Sequence, residues 1–196
     1  MCINITTKYD LELSQLLIEN ISNKSTFDQL LFNGANINAQ NKKGWCVLFE
    51  FIYLQKNDLI EEYLDKGLNI HIRDIKGRNA LFWAIYSGNI AAVKLLITLG
   101  VDTIIAKNEQ LGMIQYIIYK DNLLLLTELI NMGINVNEKD TTNTVPLIYA
   151  VLYNKINFID FLITKGADKF LVDSFGNCAY TLAQELNDEC VIKKLE

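Results

Sequence analysis

Residues 162–168 read LITKGAD: an apolar pair, a threonine and a lysine, then a glycine where a helix would end. Almost the same stretch stands at residues 96–102 (LITLGVD), 129–135 (LINMGIN), 63–69 (YLDKGLN) and 30–36 (LLFNGAN). Their glycines, Gly34, Gly67, Gly100, Gly133 and Gly166, are 33 residues apart at every step, without insertion or deletion. A second series keeps the same step through Gly44, Gly77, Gln110, Asn143 and Gly176. In front of the first series the apolar residues have helical spacing: Val93, Leu96 and Ile97; Leu126, Leu129 and Ile130; Ile159, Leu162 and Ile163. Residues at i, i+3 and i+4 share one face of a helix. A glycine just past such a stripe suits a left-handed C-cap, where a side chain would add steric cost.

An upstream helix in each period carries Leu48 and Phe51, Leu81 and Ala84, Ile114 and Ile117, Leu147 and Ala150, Tyr180 and Ala183. Each period is therefore a helical hairpin. Between hairpins lie short polar connectors, NIHIRDIKG (69–77), NVNEKDTTN (135–143) and DKFLVDSFG (168–176), with Asn, Asp and Gly at turn-favouring positions. One hairpin cannot enclose its own apolar face, whereas stacked neighbours bury theirs continuously. The expectation is an all-α solenoid with short β-hairpin-like connecting turns.

The period, together with KGRNALFWAIYSGNIAAVKLLITLGVD (76–102) and VPLIYAVLYNKINFIDFLITKGAD (145–168), resembles the ankyrin repeat. The resemblance implies a single array over residues 1–196. It has an N-terminal cap unit at 1–40, internal units at 41–73, 74–106, 107–139 and 140–172, and a C-terminal cap unit at 173–196. The family's T-P-L-H tetrad stands here as CVLF, NALF, GMIQ, VPLI and CAYT, so no unit has both the threonine and the histidine. Their hydrogen bonds, each worth roughly 0.5–1.5 kcal/mol, must be replaced, and apolar packing is the expected substitute, with Phe49 and Phe82 in the histidine slot. Gln110 and Gly112 make the unit from Lys107 the least regular and the expected weak point of the array.

Composition narrows the function. With 51% hydrophobic residues the chain has ample material for a core. Its formal charge of -5, with both signs interspersed, argues against nucleic acid as the main partner, since phosphate neutralisation needs clustered Lys and Arg. No apolar run reaches bilayer-spanning length, and the opening MCINITTKYDLELSQ lacks the basic and apolar regions of an export signal. A cytoplasmic protein is expected, or one delivered to a host cytosol. The four cysteines, Cys2, Cys46, Cys178 and Cys190, form no CxxC pair and read as reduced, mostly buried small hydrophobes.

No catalytic or metal constellation emerges. The single histidine, His71, occupies a slot where the ankyrin pattern has a turn-supporting Asn, as at Asn38 and Asn137. Carboxylate pairs such as Glu61–Glu62 and Asp188–Glu189 fall on the polar faces of second helices. Phosphate-cradling and zinc-binding motifs are absent from the sequence. No enzyme, no cofactor and no metal are expected.

Surface remains. In ankyrin-like arrays the first helices and the projecting turns form the concave face, and the positions following the A-A pair point into it. Tyr53, Tyr86 and Tyr119 recur there in three successive units, with Lys120 and Tyr153 beside the series. The turn tips add Trp45, Ile75, Arg78, Leu111 and Phe175. Large amphipathic rings dominate interface hot spots, so these ten residues are the expected partner-binding set. A second aromatic column, Trp83, Tyr116 and Tyr149, is read as mainly core.

The expected function is non-enzymatic capture of a protein on the concave face by a chain that is monomeric when free. The Ile-, Asn- and Lys-rich usage suggests a bacterium, virus or protist, and the resemblance implies a module that serves as a toxin-neutralising inhibitor, a host-directed effector or a cellular adaptor. Two other classes stay open: an enzyme or small-ligand protein with a pocket between units, and a self-associating structural scaffold.

Overall fold

The computed structural model describes residues 12–13 and 15–196. Cys2 and the beginning of the expected cap unit at 1–40 lie outside the described residues. The chain divides into two compact units, one ending at Asn108 and one beginning at Glu109. The division falls at the start of the period whose sequence is least regular.

In the first unit residues 15–19 are helical and are followed by helix Lys24–Phe32. Two helical hairpins come next, Val47–Tyr53 with Asn57–Leu64 and Ala80–Tyr86 with Ile90–Thr98. Strand Ile104–Ala106 closes the unit, and Arg78 pairs with Ala106 in an antiparallel bridge. The second unit has strand Leu111–Gly112 and three hairpins: Met113–Tyr119 with Leu123–Asn131, Pro146–Leu152 with Ile156–Thr164, and Ala179–Glu185 with Glu189–Leu195. The architecture is mostly helical, as the periodicity predicts.

Most of the striped residues form the core, while Ile97, Ile130 and Ile163, the last of each stripe, and Tyr180 are only half-buried. Leu48, Phe51, Ile60, Leu81, Ala84, Val93 and Leu96 are fully buried in the first unit, as are Ile117, Leu126, Leu129, Leu147, Ala150, Ile159 and Leu162 in the second. First helices pack on first helices, Val47–Tyr53 on Ala80–Tyr86 and Pro146–Leu152 on its neighbours either side within the second unit.

Both predicted turn series adopt the left-handed region. The second series is the more informative, because Gln110 (φ 52°) and Asn143 (φ 59°) accept the conformation that Gly44, Gly77 and Gly176 take freely. A third left-handed series, which the glycine pattern does not reveal, closes the bend between the two helices of each hairpin. It runs Gln55, Gly88, Asp121, Asn154 and Asn187, again at a 33-residue step. Four of its five members carry side chains, three of them the Asn or Asp that tolerates this region best.

Directly after that series comes a column of N-caps. Asn23, Asn89 and Asn122 accept the backbone N–H of Thr26, Ala92 and Leu125, and Asp188 accepts those of Cys190 and Val191. Lys56 and Lys155 stand in the same column and give no side-chain cap. Asn89 also ties the two hairpins of the first unit together: its amide donates to the buried Ile52 carbonyl (2.9 Å) and to the half-buried Asn57 side chain (2.8 Å).

The tetrad expectation holds in part. Phe49, Phe82 and Ile148 bury apolar rings or branches in the histidine slot. Elsewhere polar groups restore the lost bonds. Asn79, 1% exposed, replaces the threonine as a cap, accepting from the Phe82 N–H and donating to the Asp102 carbonyl at 2.7 Å. Gln115 and Thr181 in the histidine slot accept from the N–H of Gly112 and Cys178. One cysteine also departs from its expected role: Cys46 and Cys178 are buried but Cys190 is exposed, because it lies on the outer side of the last helix. Burial pushes the Cys46 thiol up to about 11, so it behaves as a small apolar group.

Candidate interaction faces

The turn tips are built on a repeated side-chain device. Asn41 accepts the N–H of Lys43 (2.8 Å) and Trp45 (3.0 Å) through one side-chain oxygen. Asp74 does the same for Lys76 and Arg78, Asp140 for Thr142 and Thr144, and Asp173 for Phe175 and Asn177. Such Asx turns hold the backbone of a tight loop without help from a sheet. The fifth position of this column is Lys107, which has no side-chain acceptor, and there the chain forms a short 3-10 turn, Lys107–Glu109, instead. This is the physical reason for the irregular unit.

In the first unit the two tips meet closely: a Cβ on Gly44 would lie 2.6 Å from the Ile75 backbone nitrogen and 2.7 Å from the Asp74 Cα. Only glycine permits that approach. Behind the tips sits an aromatic cluster. Trp45 meets Trp83 edge-on at 4.7 Å between ring centroids and Phe49 at 5.8 Å, and its indole N–H donates to Glu50 at 2.7 Å. Tyr86 stacks on Phe82 and meets the edge of Trp83, while Tyr53 meets the edge of Trp45. Phe49 and Phe82 are buried, Trp45 and Trp83 half-buried, and Tyr53 and Tyr86 are 55% and 52% exposed. The column read as core and the column read as contact surface are thus one cluster with a buried base and an open rim.

Arg78 is not a free contact at the tip. Its guanidinium is bound to Asp74 at 2.6 Å and lies 4.3 Å from the Trp83 ring centroid, so it clamps the turn onto the cluster. The Trp83 indole nitrogen beneath it is buried without a hydrogen-bond partner among the described residues. An orphaned donor of this kind costs about 1–3 kcal/mol, a cost that the packing around the ring offsets. Ile75 is 66% exposed at the tip.

The second unit has a tyrosine cluster. Tyr116 stacks with Tyr119, Tyr149 with Tyr153, and Tyr119 meets the edge of Tyr153 at 6.0 Å. The base is again closed: Tyr116 is buried, and the Tyr149 hydroxyl donates to Asp140, tying the cluster to its turn. Burial first and the Asp140 carboxylate second raise the Tyr149 hydroxyl well above its ordinary value, so it remains a donor. Tyr119 is 63% exposed, Lys120 is exposed beside it, Tyr153 is at the margin of exposure, and Leu111 is half-buried in its strand. Phe175 stands apart from these rings at a turn tip, 74% exposed.

His71 is exposed, and its backbone N–H donates to Asn69. It lines a small polar cavity of about 220 Å³ with Arg73, Asn79, Val101 and Asp102. The one carboxylate there is already paired with Arg73 at 2.6 Å. Among the described residues no group of three or more His, Cys, Asp or Glu side chains is placed to hold a metal ion. No helix among them is long and apolar enough to cross a membrane.

Residues 14–108 match the family model for ankyrin repeats (3 copies). Over 93% of its length the chain superposes on 80% of the ankyrin repeat domain of Bcl-3, a member of the IkappaB protein family, with a TM-score of 0.76 at 21% identity. The chain has the ankyrin-repeat fold. A second structure with which this chain aligns is that of the predatory endopeptidase Bd0816 from Bdellovibrio bacteriovorus in complex with immunity protein Bd3460. There the TM-score is 0.65 at 23% identity, with 93% of this chain and 95% of the other covered. No curated protein matches the chain by sequence.

Proposed function

We propose that this ankyrin-repeat chain is a non-enzymatic protein-interaction module. It binds a protein partner on the face formed by first helices and turn tips, the concave face of such arrays, and acts by occluding what it binds. The observation that carries the reading is the construction of the aromatic clusters. Their bases are closed by packing, by Arg78 held to Asp74 over Trp83, and by the Tyr149 bond to Asp140, yet Tyr53, Tyr86 and Tyr119 leave large ring areas in water. A fold that needed these rings only for its core would bury them. Rings held rigidly at the surface give contact area at little entropic cost, which is what a hot spot requires.

The inhibitory reading is supported by the alignment with the structure of an endopeptidase in complex with an immunity protein. That likeness motivates a masking role in a bacterial cytosol, with a host-directed role as the competitor. Trp45, Ile75, Arg78, Leu111, Lys120, Tyr153 and Phe175 complete the proposed contact set, Arg78 as a clamp that positions the rings. Neither a nucleic acid nor a membrane is needed for this activity, and the free protein acts as a monomer.

The test is affinity capture from the source organism followed by mass spectrometry, with the wild type and the Tyr53→Ala/Tyr86→Ala/Tyr119→Ala variant in parallel. Partners captured by the wild type should be lost by the variant at unchanged circular dichroism. Equal capture by both would remove the tyrosines from the site. Dimerisation abolished by Tyr86→Ala in sedimentation would replace a foreign partner by a second copy.

A further inference from the structure

The first unit carries charge as well as rings at its open face. Lys42, Lys43 and Lys76 are all exposed, and their ammonium groups have no carboxylate within ion-pair distance among the described residues. Lys76 is a whole repeat away from Lys42 and Lys43 in sequence, but the close approach of Gly44 to Asp74 and Ile75 puts their two turns side by side. The one acidic residue of these tips, Asp74, has a side chain 1% exposed, with one oxygen accepting two backbone N–H groups and the other held by Arg78. It contributes no outward negative charge. The corresponding tips of the second unit, residues 140–143 and 173–176, contain no lysine or arginine. A chain of net charge -5 therefore presents a positive edge along these two turns, with Ile75 exposed on it and Tyr53 and Tyr86 joined to it through Trp45 and Trp83.

We propose that this edge receives an acidic segment of the protein partner, one in which Asp or Glu side chains meet Lys42, Lys43 and Lys76 while an apolar or aromatic residue between them covers Ile75 and the tyrosine rims. The inference rests on the reading of the chain as a protein-binding module and adds the chemistry of what is bound. Charge complementarity is the argument: three unpaired ammonium groups beside an exposed apolar side chain are costly to cover with a neutral or basic surface and favourable to cover with carboxylates. A nucleic acid would also supply negative charge. It is disfavoured because the positive edge is short and the rest of the chain is acidic, whereas phosphate binding gains from extended basic tracks.

The experiment is selection of a random peptide display library on the purified full chain, on Lys42→Glu/Lys43→Glu/Lys76→Glu, and on Tyr53→Ala/Tyr86→Ala, each checked for an unchanged circular dichroism spectrum. The wild type should enrich acidic peptides containing apolar residues, and the charge-reversed protein should lose them or enrich basic ones. Binding of one selected peptide to Lys42→Ala/Lys43→Ala/Lys76→Ala should weaken roughly tenfold, and more at low salt than at high salt. Peptides of unchanged charge from the wild type and the charge-reversed protein would overturn the proposal. So would a labelled duplex oligonucleotide that binds the wild type more tightly than the selected peptide. Loss on the tyrosine variant with none on the lysine variants overturns this inference alone; the reverse upholds the charge pairing and overturns both the contact with the tyrosine rims and their place in the proposed site.

Discussion

Gly44 and Gly166 look alike in the sequence and differ in what they do. Both have positive φ, 75° and 86°, but a Cβ on Gly166 meets nothing within 4 Å, whereas one on Gly44 runs into the backbone of the neighbouring turn. Gly166→Ala is expected to cost only the left-handed penalty, about 1–2 kcal/mol. Gly44→Ala should cost about 2 kcal/mol more, because backbone on both sides must yield; chemical denaturation of the two variants gives the comparison. A second residue-scale prediction concerns acid. The Tyr63 hydroxyl donates to Asp28 at 2.8 Å and, partly opposed by burial and helped by Lys66, holds its carboxyl below the usual range. A depressed carboxylate contributes stability that is complete above its unfolded pKa and is lost as pH falls through the folded one. Tyr63→Phe should therefore return Asp28 toward its ordinary value in an NMR titration and move acid unfolding to higher pH. The loss at neutral pH should be no more than about 1 kcal/mol, since the carboxylate is open to water.

At the scale of the element, the second helices depend on the residue that follows the left-handed bend. Asn122→Ala should destabilise by about 1 kcal/mol, and Lys56→Asn should stabilise by a similar amount, by giving helix Asn57–Leu64 the cap that its counterparts have. The turns make the same point. Lys107→Asp should supply the missing Asx acceptor and raise stability by roughly 0.5–1.5 kcal/mol, with slower hydrogen exchange over residues 107–112 as the more direct readout. These elements also show where the sequence was legible. The helix stops were readable because glycine is the cheapest left-handed residue and recurs at a fixed step. The bend at Gln55, Gly88, Asp121, Asn154 and Asn187 was not, because most of its members carry side chains, although Asn and Asp at a regular step are a signal in themselves. For the candidate site, the exposure of Tyr53, Tyr86, Tyr119, Ile75 and Phe175 was readable from repeat position. The clamping of Arg78 by Asp74 and Trp83 was not, because it depends on how one turn closes.

At the scale of the molecule, charge and order are unevenly distributed. Opposite charges are interspersed along the sequence, yet folding gathers Lys42, Lys43 and Lys76 on one edge, a grouping that linear inspection misses because the turns are separated by a whole repeat. Protection from hydrogen exchange should be lowest at residues 107–112, where the Asx column is broken, and higher in the hairpins on either side; uniform protection would show that the 3-10 turn is as firm as its counterparts. The same unevenness extends to the chromophores. Trp45 and Trp83, the two tryptophans of the chain, touch each other in the first unit, and the ring clusters of the second unit contain tyrosine. Tryptophan-selective emission therefore watches one unit while far-ultraviolet dichroism watches both. Melting curves recorded by the two signals on an unlabelled, unmodified sample should coincide if the units unfold together and separate if they do not.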